Sequence, residues 1–357
     1  METIDTPFTE QLLQWYGQNA RDLPWRREPS PYHIWLSEIM LQQTRVETVI
    51  SYYERFLSVL PNIAALADAP EEVYMKLWEG LGYYSRVKNL HKAAVQILEQ
   101  YGGQLPHSYE ELLQIAGIGP YTAAAIASIA FGQKIPSIDG NLLRVFARLC
   151  AYDRNIQDKA AREAAQRYFL EHIPDARAGD FNQALMDLGS AICLPNGVPR
   201  CECCPVRDFC RAFTEGNMLD YPKKPAKKKR AIKKICVFLL SDGQRIALRK
   251  RSAQGLLAGL YEFPNLMGRL TRKAAQSALE SLGLQVLHID RLPSAKHIFT
   301  HKEWHMQGYL AQVDFSHAPE DLLLCDMENV LEKHSIPSAF RVYKDCLRTL
   351  ISNKNTP

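Results

Sequence analysis

The sequence predicts two domains, a mainly α-helical domain that ends in a cysteine-rich loop and a smaller α+β domain. The length of 357 residues suits two hydrophobic cores rather than one. Apolar residues recur at helical spacing through the first part, and we find no strand pattern of any length before Cys193. Short apolar runs typical of β-strands appear only after a basic stretch at 221–234.

The helical stretches are separated by turn sequences such as LPN, DAP, YGGQLP and GIGP. The predicted helices of the first part are 8–16, 34–60, 71–78, 87–101, 109–115, 121–131, 142–150 and 181–192. In the second part, the predicted strands are 235–240, 245–249, 284–289 and 304–313, and the predicted helices are 272–282 and 338–351. The predicted domains are 1–220, which includes the cysteine loop 193–210, and 235–357, joined by the linker 221–234.

Composition and charge exclude several classes of protein. Hydrophobic residues make up 46% and charged residues 23%, which excludes disordered, collagen-like and small disulfide-bonded proteins. The weakly polar run 119–132 is too short to span a bilayer, and the N-terminus lacks a basic signal region. We therefore expect a soluble, intracellular protein with no membrane partner.

The net charge of +4 is unevenly distributed. Residues 1–222 hold 20 Lys and Arg against 27 Asp and Glu, whereas 223–234 hold eight basic residues and no acid. Any nucleic-acid contact of the first part must therefore depend on local geometry and backbone amides. The basic stretch fits a solvated spacer as well as a contact with the DNA backbone.

The sequence GIGPYT predicts a tight hairpin between two helices. One helix ends at Gly117 and Gly119, and the next begins at Pro120. The free N–H groups at such a helix start can bind a phosphate without any side-chain charge. A GxG pattern alone is more typical of a plain corner between helices, so the interpretation depends on what surrounds it.

Two carboxylates stand in contrasting sequence surroundings. Asp139 of SIDGN is placed to cap the helix that follows it, where a helix N-terminus keeps a carboxylate ionised. Glu38 has Ile34, Trp35 and Leu41 at helical spacing, which predicts a raised pKa suited to a general acid. The alternative for Glu38 is a stem packed on Trp35 with its head group in water. Opposite pKa shifts in the two carboxyls would fit separate acid and stabiliser roles in glycosidic cleavage.

Four cysteines in 18 residues predict a metal site. Cys193, Cys201, Cys204 and Cys210 follow the pattern C-x7-C-x2-C-x5-C, with Cys203 as an extra cysteine. Four thiolates suffice for a tetrahedral zinc ion or a [4Fe–4S] cluster, and the spacing alone does not choose between them. The position at the end of the helical domain indicates a structural role.

Together these motifs resemble the adenine DNA glycosylases of the MutY family, within the helix-hairpin-helix DNA glycosylase superfamily. The motifs are SEIMLQQT (37–44), EGLGYYSR (79–86), GIGPYTA (117–123), SIDGN (137–141) and FNQALMDLG (181–189). In the second part, GLLAGLYEFP (255–264) and residues 299–301 resemble the Nudix-like lesion-recognition module of that family. The resemblance covers roughly residues 5–350, and it implies a helix-hairpin-helix domain followed by a Nudix-like α+β domain.

The resemblance implies a base-excision repair enzyme that removes adenine paired with 8-oxoguanine, or with guanine, from duplex DNA. The adenine would be flipped out of the helix so that its N7 and its sugar can be reached. The resemblance also implies a [4Fe–4S] cluster, with structural zinc as the alternative, and we expect a cytoplasmic, nucleoid-associated monomer.

Roles for individual residues also follow from the resemblance. Glu38 would protonate adenine N7 and Asp139 would stabilise the cationic sugar, while Tyr121 hydrogen-bonds nearby and Asn141 orients Asp139. The other implied site residues are Trp25, Arg26 and Gln183 in the adenine pocket, Gln43 and Tyr83 in the emptied stack with Thr44 as a further substrate-binding residue, Phe299, Thr300 and His301 at the lesion, Gly117 and Gly119 at a DNA phosphate, and Cys193, Cys201, Cys204 and Cys210 as metal ligands.

Some positions depart from relatives of the same superfamily. Tyr121 stands where members with strand-cleaving activity carry a lysine, and a tyrosine cannot form a Schiff base. We therefore expect weak or absent lyase activity, although thymine-mismatch glycosylases also tolerate tyrosine there. Thr300 replaces the more usual serine and keeps a hydroxyl that can accept a hydrogen bond. The first cysteine spacing is x7 where many relatives have x6.

Two other functions remain as alternatives. The second domain could hydrolyse nucleotide pyrophosphates, but aligning the Nudix motif on Gly283 leaves only Glu280 among its metal-binding acids. The chain could also be a catalytically silent protein that binds mismatches.

Overall fold

The chain divides into two compact units in the computed structural model, which describes residues 6–225, 230–252 and 254–354. Unit 1 consists of Met1–Ala69 and Lys88–Lys227, and unit 2 consists of Pro70–Val87 and Lys228–Pro357. Residues 226–229 of the predicted linker lie outside the described residues. The segment Pro70–Val87, which the predicted domains assign to the first part, is grouped with the second.

The helices and strands confirm the predicted fold class for the part of the chain that is described. In chain order the helices are α1 (Pro7–Asn19), α2 (Pro24–Arg27), α3 (Pro31–Leu41), α4 (Val46–Val59), α5 (Ile63–Ala67), α6 (Glu71–Leu77), α7 (Ser85–Tyr101), α8 (Tyr109–Leu112), α9 (Pro120–Phe131), α10 (Gly140–Leu149), α11 (Lys159–His172), α12 (Ala178–Ala191), α13 (Arg211–Thr214), α14 (Arg272–Ser281), α15 (Val330–Lys333) and α16 (Arg341–Lys354). The strands are β1 (Ala231–Ser241), β2 (Arg245–Lys250), β3 (Tyr261–Glu262), β4 (Asn265–Met267), β5 (Gln285–Ile298), β6 (Lys302–Asp314) and β7 (Leu322–Asp326).

The helix predictions for the first part were incomplete: one predicted helix is divided, and α11 and the short helices α2, α5 and α13 were not predicted. The predicted helix 34–60 is two helices, because the backbone leaves the helical path between Leu41 and Val46 and Gln43 has a φ of +57°. No proline or glycine marks this break, so the apolar spacing continues across it. Helix α11 was missed because its buried face is carried mainly by Ala161 and Ala165, which give a weak apolar signal.

One hydrophobic core of unit 1 forms where α1, α10, α11 and α12 pack together. Phe8, Leu142, Phe169 and Phe181 are each at most 2% exposed there. Burying large apolar side chains contributes about 1.5–3 kcal/mol each relative to leaving them in water. The packing fixes the start of α10, which carries a predicted site residue.

Unit 2 is a seven-stranded mixed sheet, as far as the described residues show, with a helix on each face. Strand order is β3-β2-β1-β6-β5, with β1 and β6 parallel, while β4 pairs with β1 and β7 with β2. Alternate residues of β1 face α16 and α14, so the strand is apolar on both sides, as a covered central strand must be. The last four residues of the predicted linker belong to β1 rather than to a linker.

The remaining differences in unit 2 concern the strands and the short helix α15, which was not predicted. Strand β5 runs nine residues beyond the predicted 289, and strands β3, β4 and β7 were not predicted. Gly308 of β6 lies directly beneath the ring of Tyr343, where any Cβ would overlap the ring, so α16 packs closely on the sheet. None of the helices among the residues described here is long and apolar enough to cross a membrane.

Candidate active site

A cleft of about 780 Å³ in unit 1 collects nine of the residues predicted from the sequence. They are the four predicted catalytic residues, Glu38, Tyr121, Asp139 and Asn141, and five predicted substrate-binding residues, Trp25, Arg26, Gln43, Thr44 and Gln183. The cleft is large enough for a nucleobase and its sugar, because ligand pockets commonly occupy about 300–1,000 Å³.

Glu38 lies on the wall of this cleft and is only 5% exposed. Helix α3 begins at Pro31 with Ser30 as its cap, and its mostly apolar sequence buries Glu38 among hydrophobic neighbours. The hydroxyl of Tyr121, in the first turn of α9, donates to Glu38 Oε2 at 2.6 Å. Burial raises the pKa of Glu38 to about 7, and the nearby Asp139 adds to this, while the Tyr121 hydrogen bond and Arg26 oppose it. The predicted raised pKa is confirmed, and the alternative with the head group in water is wrong.

Asp139 caps α10 as predicted. Its Oδ1 accepts from the backbone N–H groups of Asn141 at 2.8 Å and Leu142 at 2.7 Å, and its Oδ2 accepts from Asn141 Nδ2 at 2.8 Å. The expectation of opposite pKa shifts is wrong. Burial raises the pKa of Asp139 above its usual value, even though these hydrogen bonds and Arg144 pull the pKa down.

Arg144 holds Asn141, the side chain that donates to Asp139. Its Nη2 donates to Asn141 Oδ1 at 3.0 Å and to the Gly189 carbonyl at 2.6 Å, and its Nε donates to the Cys193 carbonyl at 2.8 Å. Gly189 itself must remain small, because a Cβ there would stand 2.8 Å from Asn141 Cβ. Asn141 is therefore fixed from two sides, and sequence reasoning did not identify either neighbour.

Asp187, which holds Arg26 of the cleft wall, was not predicted from the sequence. It is 1% exposed and accepts from Arg21 and from both terminal nitrogens of Arg26, the latter at 2.7 and 3.1 Å. This bidentate pair fixes the guanidinium of Arg26 in the cleft. The motif FNQALMDLG contains both Asp187 and Gln183. The position of Asp187 one helical turn after a predicted site residue was the signal that could have identified it.

Gln43 and Thr44 lie in the break between α3 and α4. The left-handed backbone of Gln43 directs the chain away from α3 at the mouth of the cleft. Gln42 Nε2 donates to the hydroxyl of Thr122 at 3.3 Å and so ties the break to α9. A turn rather than a continuous helix therefore places these side chains at the cleft.

The predicted hairpin glycines border a second cleft, of about 590 Å³, in unit 1. Gly117 has a φ of +77°, and a Cβ there would stand 2.7 Å from Asn89 Cβ, so only glycine fits without strain. Gly119 caps α9, whose first residue is Pro120. Helix α9 begins as predicted, whereas the preceding helix α8 already ends at Leu112, before the glycines. The role of the glycines at a DNA phosphate stays a prediction.

The other four predicted substrate-binding residues belong to unit 2. Phe299, Thr300 and His301 form the tip of the hairpin between β5 and β6, closed by a hydrogen bond from Phe299 N to Lys302 O at 2.8 Å. The Phe299 ring packs edge-on against Trp304 at 4.9 Å. Tyr83, with a φ of +47°, places its hydroxyl 2.7 Å from Thr300 Oγ1.

The four predicted cysteine ligands line one small cavity of unit 1, about 30 Å³ in volume, whose other walls are mainly apolar. Arg148 Nη1 donates to Cys193 Sγ at 3.1 Å, whereas Cys203 is exposed and does not line the cavity. No group of three or more Cys, His, Asp or Glu side chains within the described ranges is already arranged to hold a single metal ion.

Comparisons with known proteins agree with this geometry. Residues 36–170 match the HhH-GPD superfamily base excision DNA repair protein family, and residues 236–345 match the NUDIX domain. An adenine DNA glycosylase of Arabidopsis thaliana is 36% identical over 87% of this chain, and this chain spans only 58% of that relative's length. An adenine DNA glycosylase of Buchnera aphidicola is 35% identical, with 82% of this chain and 83% of the relative covered.

A solved structure of a thermostable thymine-DNA glycosylase resembles part of this chain. It is 30% identical with a TM-score of 0.53, and the match covers 58% of this chain and 95% of that one. From the identity and coverage of the Buchnera relative, together with the two matched domains, we conclude that the chain belongs to the adenine DNA glycosylase family.

Proposed function

We propose that this protein hydrolyses the N-glycosidic bond of adenine paired with 8-oxoguanine, or with guanine, in duplex DNA. The observation that carries the proposal is the pairing, in one cleft, of Glu38, whose pKa is raised to about 7, with Asp139 at the start of α10. Names of the relatives, which are adenine DNA glycosylases, support the choice of adenine. The protein acts as a monomer on duplex DNA.

The two carboxyls divide the work of bond cleavage. Glu38 donates its proton to N7 of the flipped adenine, and the C1′–N9 bond breaks with its electron pair moving to the base. Asp139 stabilises the cationic sugar until water adds at C1′ and releases a proton. Asn141 holds the Asp139 carboxylate toward the sugar, and Tyr121 holds Glu38 by the hydrogen bond that it donates.

Lesion recognition belongs to unit 2 in this proposal. Thr300 presents a hydroxyl that can accept from N7–H of 8-oxoguanine, which guanine lacks. Tyr83 is 46% exposed and fills the stack that the flipped adenine leaves. Gln43, which lies beside Thr44 in the turn after α3, also fills this stack.

The test is single-turnover base release from a duplex that holds one A·8-oxoguanine pair, with strand breaks scored before and after alkali. Adenine release with breaks only after alkali would support a monofunctional glycosylase, since Tyr121 has no amine for a Schiff base. Breaks without alkali would contradict the monofunctional assignment. Duplex binding without any base release would instead favour the mismatch-binding alternative.

The rate of base release should fall as the pH rises through about 7. Only the protonated form of Glu38 can donate a proton, and burial raises its pKa to about 7, so the acid form is lost above that pH. Single-turnover rates measured between about pH 6 and about pH 9 should decline toward tenfold per pH unit on the alkaline side. A rate that stays level over this range would contradict Glu38 as the general acid.

We propose that Cys193, Cys201, Cys204 and Cys210 hold a [4Fe–4S] cluster, with structural zinc as the alternative. The donor chemistry fits such a group because the four cysteines line one cavity that is otherwise mainly apolar, and Arg148 adds a positive charge beside Cys193. When bound, the group would cross-link the loop after α12. Elemental analysis and the visible spectrum of the purified protein should show iron and a brown colour, whereas stoichiometric zinc in a colourless protein would contradict the cluster.

A further inference from the structure

Glu79 occupies a partly buried ionic site in unit 2 that none of the roles above uses. Lys344 Nζ donates to its Oε1 at 2.5 Å, and Lys76 Nζ donates to its Oε2 at 2.6 Å. The side chains of Glu79 and Lys344 are each only 13% exposed. A charge that is largely withdrawn from water depends on its partner, so removing either side chain perturbs the other.

The two lysines are fixed by the C-terminal part of unit 2. Lys344 Nζ also donates to the Ile336 carbonyl at 3.2 Å, and Lys76 Nζ donates to the Leu331 carbonyl at 2.7 Å. Helix α16, which carries Lys344, packs closely on the sheet over Gly308. Glu79 is therefore attached to a rigid part of the unit rather than to a mobile surface.

The short loop from Glu79 to Tyr83 is internally braced. Trp78 is fully buried and its Nε1 donates to the Gly82 carbonyl at 3.1 Å. Arg86 Nη2 donates to the carbonyls of Leu81 and Gly82, each at 3.2 Å, and its guanidinium lies over the ring of Tyr83. Because the loop is held from within, a shift at Glu79 moves Tyr83 as well.

Tyr83 meets the predicted lesion-reading hairpin through its hydroxyl, 2.7 Å from Thr300 Oγ1. Its left-handed backbone conformation is unfavourable for a non-glycine residue and persists only when the surroundings impose it. The ionic site at Glu79 is part of those surroundings, four residues earlier in the chain.

We propose that the Glu79–Lys344 pair, together with Lys76, positions Tyr83 against Thr300 and so sets how strongly the protein prefers 8-oxoguanine over guanine opposite adenine. The inference rests on the proposed function. It makes Glu79 and Lys344 positioning residues for specificity, acting through Tyr83 rather than on the substrate.

The test compares single-turnover base release from A·8-oxoguanine and A·G duplexes for Lys344→Met and Glu79→Gln. Both variants should lower the preference for 8-oxoguanine by about three- to tenfold, the effect of losing one neutral hydrogen bond. The rate on A·G should stay within about twofold of the unmodified protein. Lys344→Arg should restore much of the preference, since an arginine keeps the charge.

Arg348→Met is the matched control, because Arg348 lies on the same helix, is 58% exposed and pairs only with Asp345 among the contacts described. It should leave the preference unchanged. The double variant Lys344→Met/Thr300→Ala should lose no more preference than the larger single effect if both act through the same contact. Fully additive losses would overturn the proposal.

The other outcomes are also decisive. Equal losses on both duplexes would mean a purely structural role, and an unchanged preference in both variants would overturn the proposal as well. If Lys344→Met does not fold, as judged by its thermal transition, the preference of Glu79→Gln decides. Failure of the unmodified protein to release adenine would count against the proposed function instead, so the two failures are distinguishable.

Discussion

Replacing Glu38 by glutamine should reduce adenine release by about 10²–10⁴-fold, the contribution typical of a positioned general acid. Glutamine has nearly the same size and can still accept the hydrogen bond from Tyr121, but it has no proton to transfer at neutral pH. Burial that raises the pKa of Glu38 to about 7 keeps much of the native side chain in the acid form. The rate of base release under single-turnover conditions is the measurement.

Duplex binding and folding separate this loss from a general defect. Glu38→Gln removes a buried ionisable group without opening a cavity, so its affinity for an A·8-oxoguanine duplex should stay within about threefold of the unmodified protein. Asp22→Asn is the matched control, since Asp22 is an exposed carboxylate of the same unit that pairs with Arg27. A Glu38→Gln protein that keeps more than about a tenth of the activity would rule out Glu38 as the acid.

The candidate site could be predicted where its signals are local in sequence. Capping by Asp139 depends on N–H groups two and three residues ahead, and apolar neighbours within one helical turn indicate the burial that raises the pKa of Glu38. Both are visible in a short stretch of sequence. The cysteine loop and the glycine hairpin are local patterns of the same kind.

Features that depend on distant partners could not be predicted. Arg26 and Asp187 are 161 residues apart in sequence, and Tyr83 and Thr300 are 217 apart, so no spacing rule connects them. The pKa of Asp139 shows the same limit, because its hydrogen bonds are local but its burial arises from the packing around the cleft. Neighbouring residues in the sequence indicate the hydrogen bonds, which lower the pKa, but not the burial, which raises it by more.

The fold shows the same division. Strand β1 was predicted from its continuous apolar run, which reflects cover on both faces, whereas the short strands β3, β4 and β7 depend on pairing with neighbours. The break between α3 and α4 lacks any glycine or proline, so the apolar pattern of the two helices concealed it.

Asp139→Asn should lower the rate of base release by about 10²–10³-fold or more while leaving the protein about as stable. Asparagine caps helices about as well as aspartate, so its Oδ1 can still accept from the N–H groups of Asn141 and Leu142. The hydrogen bond from Asn141 Nδ2 to Oδ2 is lost, which costs about 1 kcal/mol.

The raised pKa of Asp139 predicts a gain in stability for Asp139→Asn that offsets the lost hydrogen bond. Because burial raises the pKa of Asp139 above its unfolded value, the stability that this group contributes is fully present at low pH and is lost as the pH rises through the folded pKa. Above the folded pKa the native state holds an ionised carboxylate at a cost, and a neutral amide relieves that cost. The midpoint of thermal unfolding of Asp139→Asn should match or exceed that of the unmodified protein.

Comparing Asp139→Ala with Asp139→Asn separates the contribution of helix capping to stability from that of the charge. It removes the same charge and also the cap, so its free energy of unfolding should fall below that of Asp139→Asn by about 0.5–2 kcal/mol, while both variants lose activity alike. Equal destabilisation in the two variants would show that the carboxylate is needed for folding rather than for catalysis. Retained base release in either variant would remove Asp139 from the reaction. The expected pattern, with stability kept and activity lost, is that of a charge held in the cleft for the chemistry at a cost to the fold.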